Sequence, residues 1–288
     1  MKTKILLDTD IGSDIDDALC LAYLLKQPAC ELLGITTVSG EADRRAMMAS
    51  VLCKRAEKEI PIYPGIEKPL LADSLQKYAG QADRIGDWPC DKVFPKYRAI
   101  DFMRRTIREN PGEVALLAIG PMTNVAALFT IDPEIPALLK ELVLMCGEFF
   151  DSRQAEWNAK VDPHAAAIVY NAPVEIRSVG LDVTTHVVMS KIEAERCFEA
   201  DILKPVKDFS EVWFKDRDQI VFHDPLAAAV IFDSQICGFE RGEVTVELRD
   251  QNAAGRTYWH KNKSGHCFAA KQVDTEAFFR HYMQTVQA

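Results

Sequence analysis

The sequence predicts an α/β protein with a mostly parallel open sheet and helices on both faces. Three observations carry that expectation. Short apolar, β-branched runs recur along the chain, continuous rather than alternating, as strands buried on both faces require. Helix-like segments fall between them, so strands and helices take turns. Polar or acidic clusters follow the apolar runs, where ligands of open α/β sheets bind.

The runs are 4–10, 31–39, 113–119, 142–145 and 174–179. Between them, 16–27 stops before Pro28, and 97–109 stops before Pro111. Segment 44–59 carries apolar residues at 46, 47, 51 and 52, one helical face. Segments 161–170 and 225–232 are Ala-rich and fit buried helices. Later, 243–248 and 266–270 read as strands, and the stretch between them, with Gly255-Arg256, reads as a loop. Segment 186–222 is rich in charge and aromatics (Trp213, Phe214, Phe222) and is expected as a helical layer over the ligand edge. No linker or repeat divides the sequence, so a single domain over 1–288 is expected.

With 48 % hydrophobic residues in 288, one large core is within reach. The net charge of −9 argues against nucleic acid and anionic membranes as partners. A metal, or a neutral or cationic small molecule, suits it better. Eight cysteines are scattered without a CxxC pair, which argues against a disulfide scaffold and against zinc. They read as buried thiols of a reducing compartment. No apolar stretch approaches a membrane span, and the first run breaks at Asp8, too early for a signal peptide. A soluble cytoplasmic protein is expected.

The densest feature is Asp8-Thr9-Asp10-Ile11-Gly12-Ser13-Asp14-Ile15-Asp16-Asp17, five carboxylates in ten positions between a strand and a helix. A turn or helix cap needs one such acid, not five. Carboxylates this crowded repel each other, and a hard cation with oxygen ligands, Ca²⁺ or Mg²⁺, relieves them. Three further clusters repeat the placement. Ile119-Gly120-Pro121-Met122-Thr123-Asn124 offers backbone carbonyls to a cation, although Asn124 alone also fits a helix cap. Ala155-Glu156-Trp157-Asn158 precedes Asp162-Pro163, where Asp162 reads as a plain N-cap. His223-Asp224-Pro225 opens a helix.

These motifs, in this order, resemble the inosine–uridine-preferring nucleoside hydrolase superfamily. Asp8-Thr9-Asp10-Ile11-Gly12 is similar to its DxDxG signature, and Thr36-Thr37-Val38-Ser39-Gly40 to its second-strand motif. The clusters at 120–124, 155–158, 162–163 and 223–225, Gly255-Arg256-Thr257 and Val273-Asp274 match in type and order. The resemblance implies a Rossmann-like open sheet of the nucleoside hydrolase fold. It implies Ca²⁺-dependent hydrolysis of a ribonucleoside or related N-riboside to ribose and base, by a homodimer or homotetramer. Asp10, Asp17, the Thr123 carbonyl and Asp224 would hold the ion. Asp10 would also take a proton from the attacking water. Asp16, Glu156 and Asn158 would hold the sugar, and His223 would protonate the leaving base. Trp157 would pack either the sugar or the core, and Asp8 would stand behind the site.

Four departures bear on the substrate. Three residues, Ser13-Asp14-Ile15, separate the glycine from the Asp-Asp pair where the family has one, which leaves the register of Asp14, Asp16 and Asp17 open. Ala18 favours aligning the pair with Asp16-Asp17. Glu41 replaces the family's asparagine and would either touch the sugar or face solvent at the helix start. The His-Gly motif expected near 78–88 and the Gly-Asn after Gly147 are missing. A carboxylate at 41 disfavours anionic substrates, so a neutral N-riboside is expected. Two rivals stand beside this. A non-catalytic ribose- or metal-binding descendant would keep the ion and turn nothing over. A haloacid-dehalogenase-like phosphohydrolase also has DxD after its first strand, but expects Thr or Val where Gly12 stands.

Overall fold

The structure is a computed structural model describing residues 2–151 and 154–288. The strands are β1 (Thr3–Thr9), β2 (Cys30–Thr37), β3 (Ile62–Pro64), β4 (Val114–Ala118), β5 (Glu141–Leu144) and β6 (Ile176–Ser178). They continue with β7 (Val188–Ser190), β8 (Gln219–Val221), β9 (Cys237–Val246), β10 (Thr257–Lys261) and β11 (Cys267–Val273). Nine form one sheet in the order β10-β9-β11-β6-β5-β4-β1-β2-β3, and β7 and β8 form a separate ribbon. From β3 across to β11 every pair is parallel; β9 runs antiparallel to both β10 and β11.

The continuous apolar runs have a simple cause. In β1, Ile5 and Leu7 enter one core while Leu6 enters the other. In β4, Ala115 and Leu117 face the first core, and Val114 and Leu116 the second. Side chains alternate across the sheet, so covering both faces demands an apolar residue at every position. The helices Asp16–Lys26, Ala42–Arg55, His223–Phe232 and Thr275–Gln287 supply the first core. Ala99–Glu109, Thr123–Ile131 and Pro163–Tyr170 supply the second.

Three sequence expectations change. The helix expected over 161–170 is two, Trp157–Val161 and Pro163–Tyr170. Pro163 cannot continue a helix from before it, and the Asp162 carboxylate accepts from Ala165 N at 3.0 Å to start the second. The loop expected between the late strands contains β10, paired to β9 from Thr257↔Val246 to Lys261↔Gly242. It is a sheet edge with polar residues, so its pattern is weak. Segment 186–222 holds the helices Lys191–Cys197 and Lys204–Trp213, with the β7–β8 ribbon added.

The sheet order locates the ligand crevice. β1 lies between β2 and β4, so the chain leaves β1 on one side and later returns on the other. Such a switch point leaves a gap at the carboxyl ends of the two central strands. Asp10 follows β1 there, and Ile119-Gly120 follows β4.

Candidate active site

A cavity of about 780 Å³ opens at this switch point, within the range that suits small-molecule ligands. Asp10, Asp16, Asp17, Glu156, His223 and Asp224 are among the residues that line it. Gly12 makes the turn possible, with φ at +113°. A Cβ there would also meet Met48 Sδ at 2.9 Å. Across the crevice, a Cβ on Gly120 would lie 2.7 Å from Asp10 Oδ1. Glycine at 120 lets the end of β4 close onto the Asp10 carboxylate.

The helix Asp16–Lys26 starts at the Asp-Asp pair, so Ser13-Asp14-Ile15 belong to the turn. Carboxylate oxygens of Asp16, Asp17 and Asp224 lie within 4.8 Å of one another, all three side chains buried. Asp224 N donates to Asp16 Oδ2 at 3.0 Å, and Thr9 Oγ1 donates to Asp17 Oδ1. Burial, then mutual repulsion, pushes all three carboxyls well above the ordinary range. Burial, with repulsion from Asp10 added, brings Asp8 and Asp14 up to about 7. Asp10 is also raised by burial, with Arg45 pulling it back. Arg45 is fully buried, but its donors serve neutral oxygens: Gly40 O at 2.9 Å, Ser13 Oγ at 3.0 Å, Ile11 O at 3.1 Å, Asp10 O and Tyr78 O at 3.2 Å. One buried guanidinium cannot neutralise this many acids. An oxygen-only donor set, buried and short of positive charge, fits a hard divalent cation.

The expected site residues fall out as follows. Asp17 and Asp224 are in the triad, and Asp16, expected at the sugar, joins them. Asp10 lines the cavity outside the triad, its Oδ2 taken by Gln76 Nε2. Thr123 stands outside the cavity wall among the described residues. It opens the helix Thr123–Ile131, and its hydroxyl donates to Asp162 at 2.7 Å. Three neighbouring carbonyls are engaged: Ile119 O by Asn158 Nδ2, Pro121 O by Thr123 N and Met122 O by Ala126 N. Glu156 caps the helix Trp157–Val161, accepting from Asn158 N at 2.8 Å and from Gly147 N and Ala159 N at 3.1 Å. Asn158 ties the ends of β4 and β5 through Ile119 O at 2.9 Å and Met145 O at 3.0 Å. Trp157 is 48 % exposed, which removes the core alternative. Asp8 is buried behind the site, accepting from Thr36 Oγ1 at 2.6 Å and Asn124 Nδ2 at 2.7 Å. Asn124 is therefore a cross-link rather than a cap. Asp162 is the N-cap expected, and it also anchors Leu70 N at 2.9 Å.

Glu41 stands at the start of the helix Ala42–Arg55. It takes a left-handed backbone, φ 63°, and its Oε2 accepts from Ala79 N at 2.8 Å and Arg44 at 3.1 Å. Its carboxylate holds a loop and is absent from the cavity wall among the described residues.

His223 lines the cavity, with Nδ1 2.6 Å from Thr184 Oγ1. Burial lowers it to about 4, so the ring is neutral near pH 7. Sequence reasoning missed Gln76, Arg45 and Arg217, and it placed Trp213 only in a layer over the ligand edge. Gln76, Trp213 and Arg217 line the cavity, with Arg217 stacked on Trp213 at 4.9 Å. No motif or spacing marks them.

Comparison with known proteins agrees with this geometry. The family model "Inosine-uridine preferring nucleoside hydrolase" matches residues 5–280. "Probable uridine nucleosidase 1" of Oryza sativa subsp. japonica is 30 % identical over 269 residues, 86 % of this chain and 82 % of that protein. "Pyrimidine-specific ribonucleoside hydrolase RihB" of Escherichia coli (strain SE11) is 30 % identical over 197 residues, covering 65 % and 62 %. Among solved structures, "Plant nucleoside hydrolase - PpNRh1 enzyme" superposes with a TM-score of 0.87 at 24 % identity, over 100 % of both chains. "Purine-Preferring Ribonucleoside Hydrolase from Gardnerella vaginalis" gives 0.86 at 24 % identity, over 99 % of this chain and 98 % of that one. The match over nearly the whole chain, on a sheet whose switch point gathers the acidic turn, places this protein in the inosine–uridine-preferring nucleoside hydrolase family.

Proposed function

We propose that the protein hydrolyses the N-glycosidic bond of a neutral ribonucleoside, with Ca²⁺ held among Asp16, Asp17 and Asp224 and with Asp10 beside them. The observation that carries this is the buried carboxylate triad on the floor of a nucleoside-sized cavity. When bound, the cation supplies Lewis acidity toward water and toward the sugar hydroxyls. The protein's own residues do the rest. Asp10 takes the proton of the attacking water. The C–N bond breaks as the water oxygen bonds to the anomeric carbon, giving ribose and free base. Positive charge builds on the sugar during this step, and the surrounding carboxylates favour it. To act as the acid, His223 takes up a proton first: the imidazolium donates Nδ1–H to Thr184 Oγ1, gives its Nε2 proton to the leaving base and returns to the neutral ring. Glu156 and Asn158 hold the sugar end of the wall.

The same proposal covers the setting: one functional unit over 1–288, a homodimer or homotetramer in solution, and a cytoplasmic location, in keeping with eight free cysteines. Uridine is the first substrate to test, because the plant relatives carry that name. The experiment is reducing-sugar release from a panel of ribo- and deoxyribonucleosides with Ca²⁺ present. Turnover of at least one ribonucleoside is expected. Calcium binding with no sugar released from any of them would favour the non-catalytic descendant.

A further inference from the structure

We infer that Gln76 is a positioning residue that couples the indole at the cavity mouth to the carboxylate of Asp10. Its side chain spans the two. Trp157 Nε1 donates to Gln76 Oε1, and Gln76 Nε2 donates to Asp10 Oδ2. An indole nitrogen only donates and an ionised carboxylate only accepts, so one orientation of the amide satisfies both. No other neutral side chain of this length offers a donor and an acceptor at once.

Gln76 is buried and lines the cavity, and the backbone around it is sewn in place. Gly40 N donates to Gln76 O at 3.1 Å. Ala79 N donates to Glu41 at 2.8 Å, and Arg45 donates to Tyr78 O at 3.2 Å. The amide is thus delivered from a fixed stretch of an otherwise irregular loop, and Glu41 is one of the residues that fixes it. Trp157 is half exposed at the cavity. A sugar that packs on the indole therefore sets, through one amide, the direction in which Asp10 presents its other oxygen. Groups that orient a reactive side chain in this way typically change activity by about 10–100-fold when removed.

The inference rests on the nucleoside hydrolysis proposed above, so its test has a second arm free of turnover. Gln76→Met keeps the length and loses both bonds. Gln76→Glu keeps an acceptor for Trp157 and loses the donor to Asp10. Both should lower kcat on a ribonucleoside by about 10–100-fold while KM moves by less than about threefold. The emission of Trp157, taken as the difference from a Trp157→Phe background, should shift in Gln76→Met and hold in Gln76→Glu. A kcat within about threefold of wild type in Gln76→Met overturns the inference. So does a loss of kcat that only follows a loss of Tm, with Trp157 emission unmoved. Should the wild type cleave no nucleoside, the hydrolysis reading fails by itself, and an unshifted emission in Gln76→Met then sinks the contact as well.

Discussion

At the scale of single residues, the proposed chemistry divides between acids and one imidazole. His223 is bonded to Thr184 and stands apart from the carboxylate triad. Its replacement by Ala should leave metal binding and fold intact. It should slow natural nucleosides, since general acid catalysis is worth about 10²–10⁴-fold. A nitrophenyl riboside, whose leaving group needs no proton, should be much less affected. Kinetics on both substrate types check this, and equal losses would assign His223 to positioning. Glu41→Asn makes the opposite kind of claim. Its carboxylate holds Ala79 N and Arg44, so the change should loosen the loop. It should lower kcat/KM by one common factor across ribosyl and deoxyribosyl substrates. A change in preference between the sugars would return Glu41 to the pocket. Asp10, Asp16, Asp17, Glu156 and His223 could all be read as site candidates from their motifs. Gln76 and Arg45 could not, because a lone amide or arginine gains meaning only from what folding sets against it. Thr123 illustrates the converse. Its motif is plain in the sequence, but that its hydroxyl reaches across to Asp162 is visible only in the fold.

At the scale of elements, the sequence was most legible where burial is two-sided. β1, β2, β4 and β5 were readable as continuous apolar runs because each side chain must enter one core or the other. Legibility failed at the margins. β10 lies at the sheet edge, where a polar, half-exposed strand looks like a loop. The long connection from β3 to the helix Ala99–Glu109 carries Gln76 with almost no periodic pattern, and its course is fixed by scattered anchors such as Asn124, Asp162, Glu41 and Arg45. The junction after β4 gives a direct test of element geometry. Gly120→Ala pushes a methyl to within 2.7 Å of Asp10 Oδ1. Overpacking of this kind costs about 1–3 kcal/mol, and here the strain falls on the Asp10 carboxylate. The variant should fold with a modestly lower Tm and lose most of its kcat. A variant with full activity would show that Asp10 is not held by this junction.

At the scale of the whole molecule, the site is a store of unfavourable charge that a cation relieves. Burial brings Asp8 and Asp14 up to about 7 and raises Asp10, Asp16, Asp17 and Asp224, from an ordinary value of 3.8. The native metal-free protein therefore binds more protons than the unfolded chain between about pH 4 and 7. Its stability falls as pH rises through that window. His223, lowered from 6.5 to about 4, acts in the other direction, one group against several. Metal-stripped protein should thus melt at a higher temperature at pH 5 than at pH 8. Added Ca²⁺ should flatten the difference by stabilising the ionised form. A stripped protein that melts higher at pH 8 would contradict the account of the cluster.

The central claim is that these buried carboxylates hold a divalent cation on which hydrolysis depends. The most direct measurement follows metal content and ribonucleoside turnover in one preparation, before chelation, after it, and after return of Ca²⁺. The account predicts one divalent ion per chain, turnover that falls with its removal, and recovery on adding Ca²⁺. It also predicts that Asp224→Ala shows neither metal nor recovery. A preparation that holds no divalent ion and cleaves ribonucleosides at the full rate would contradict it.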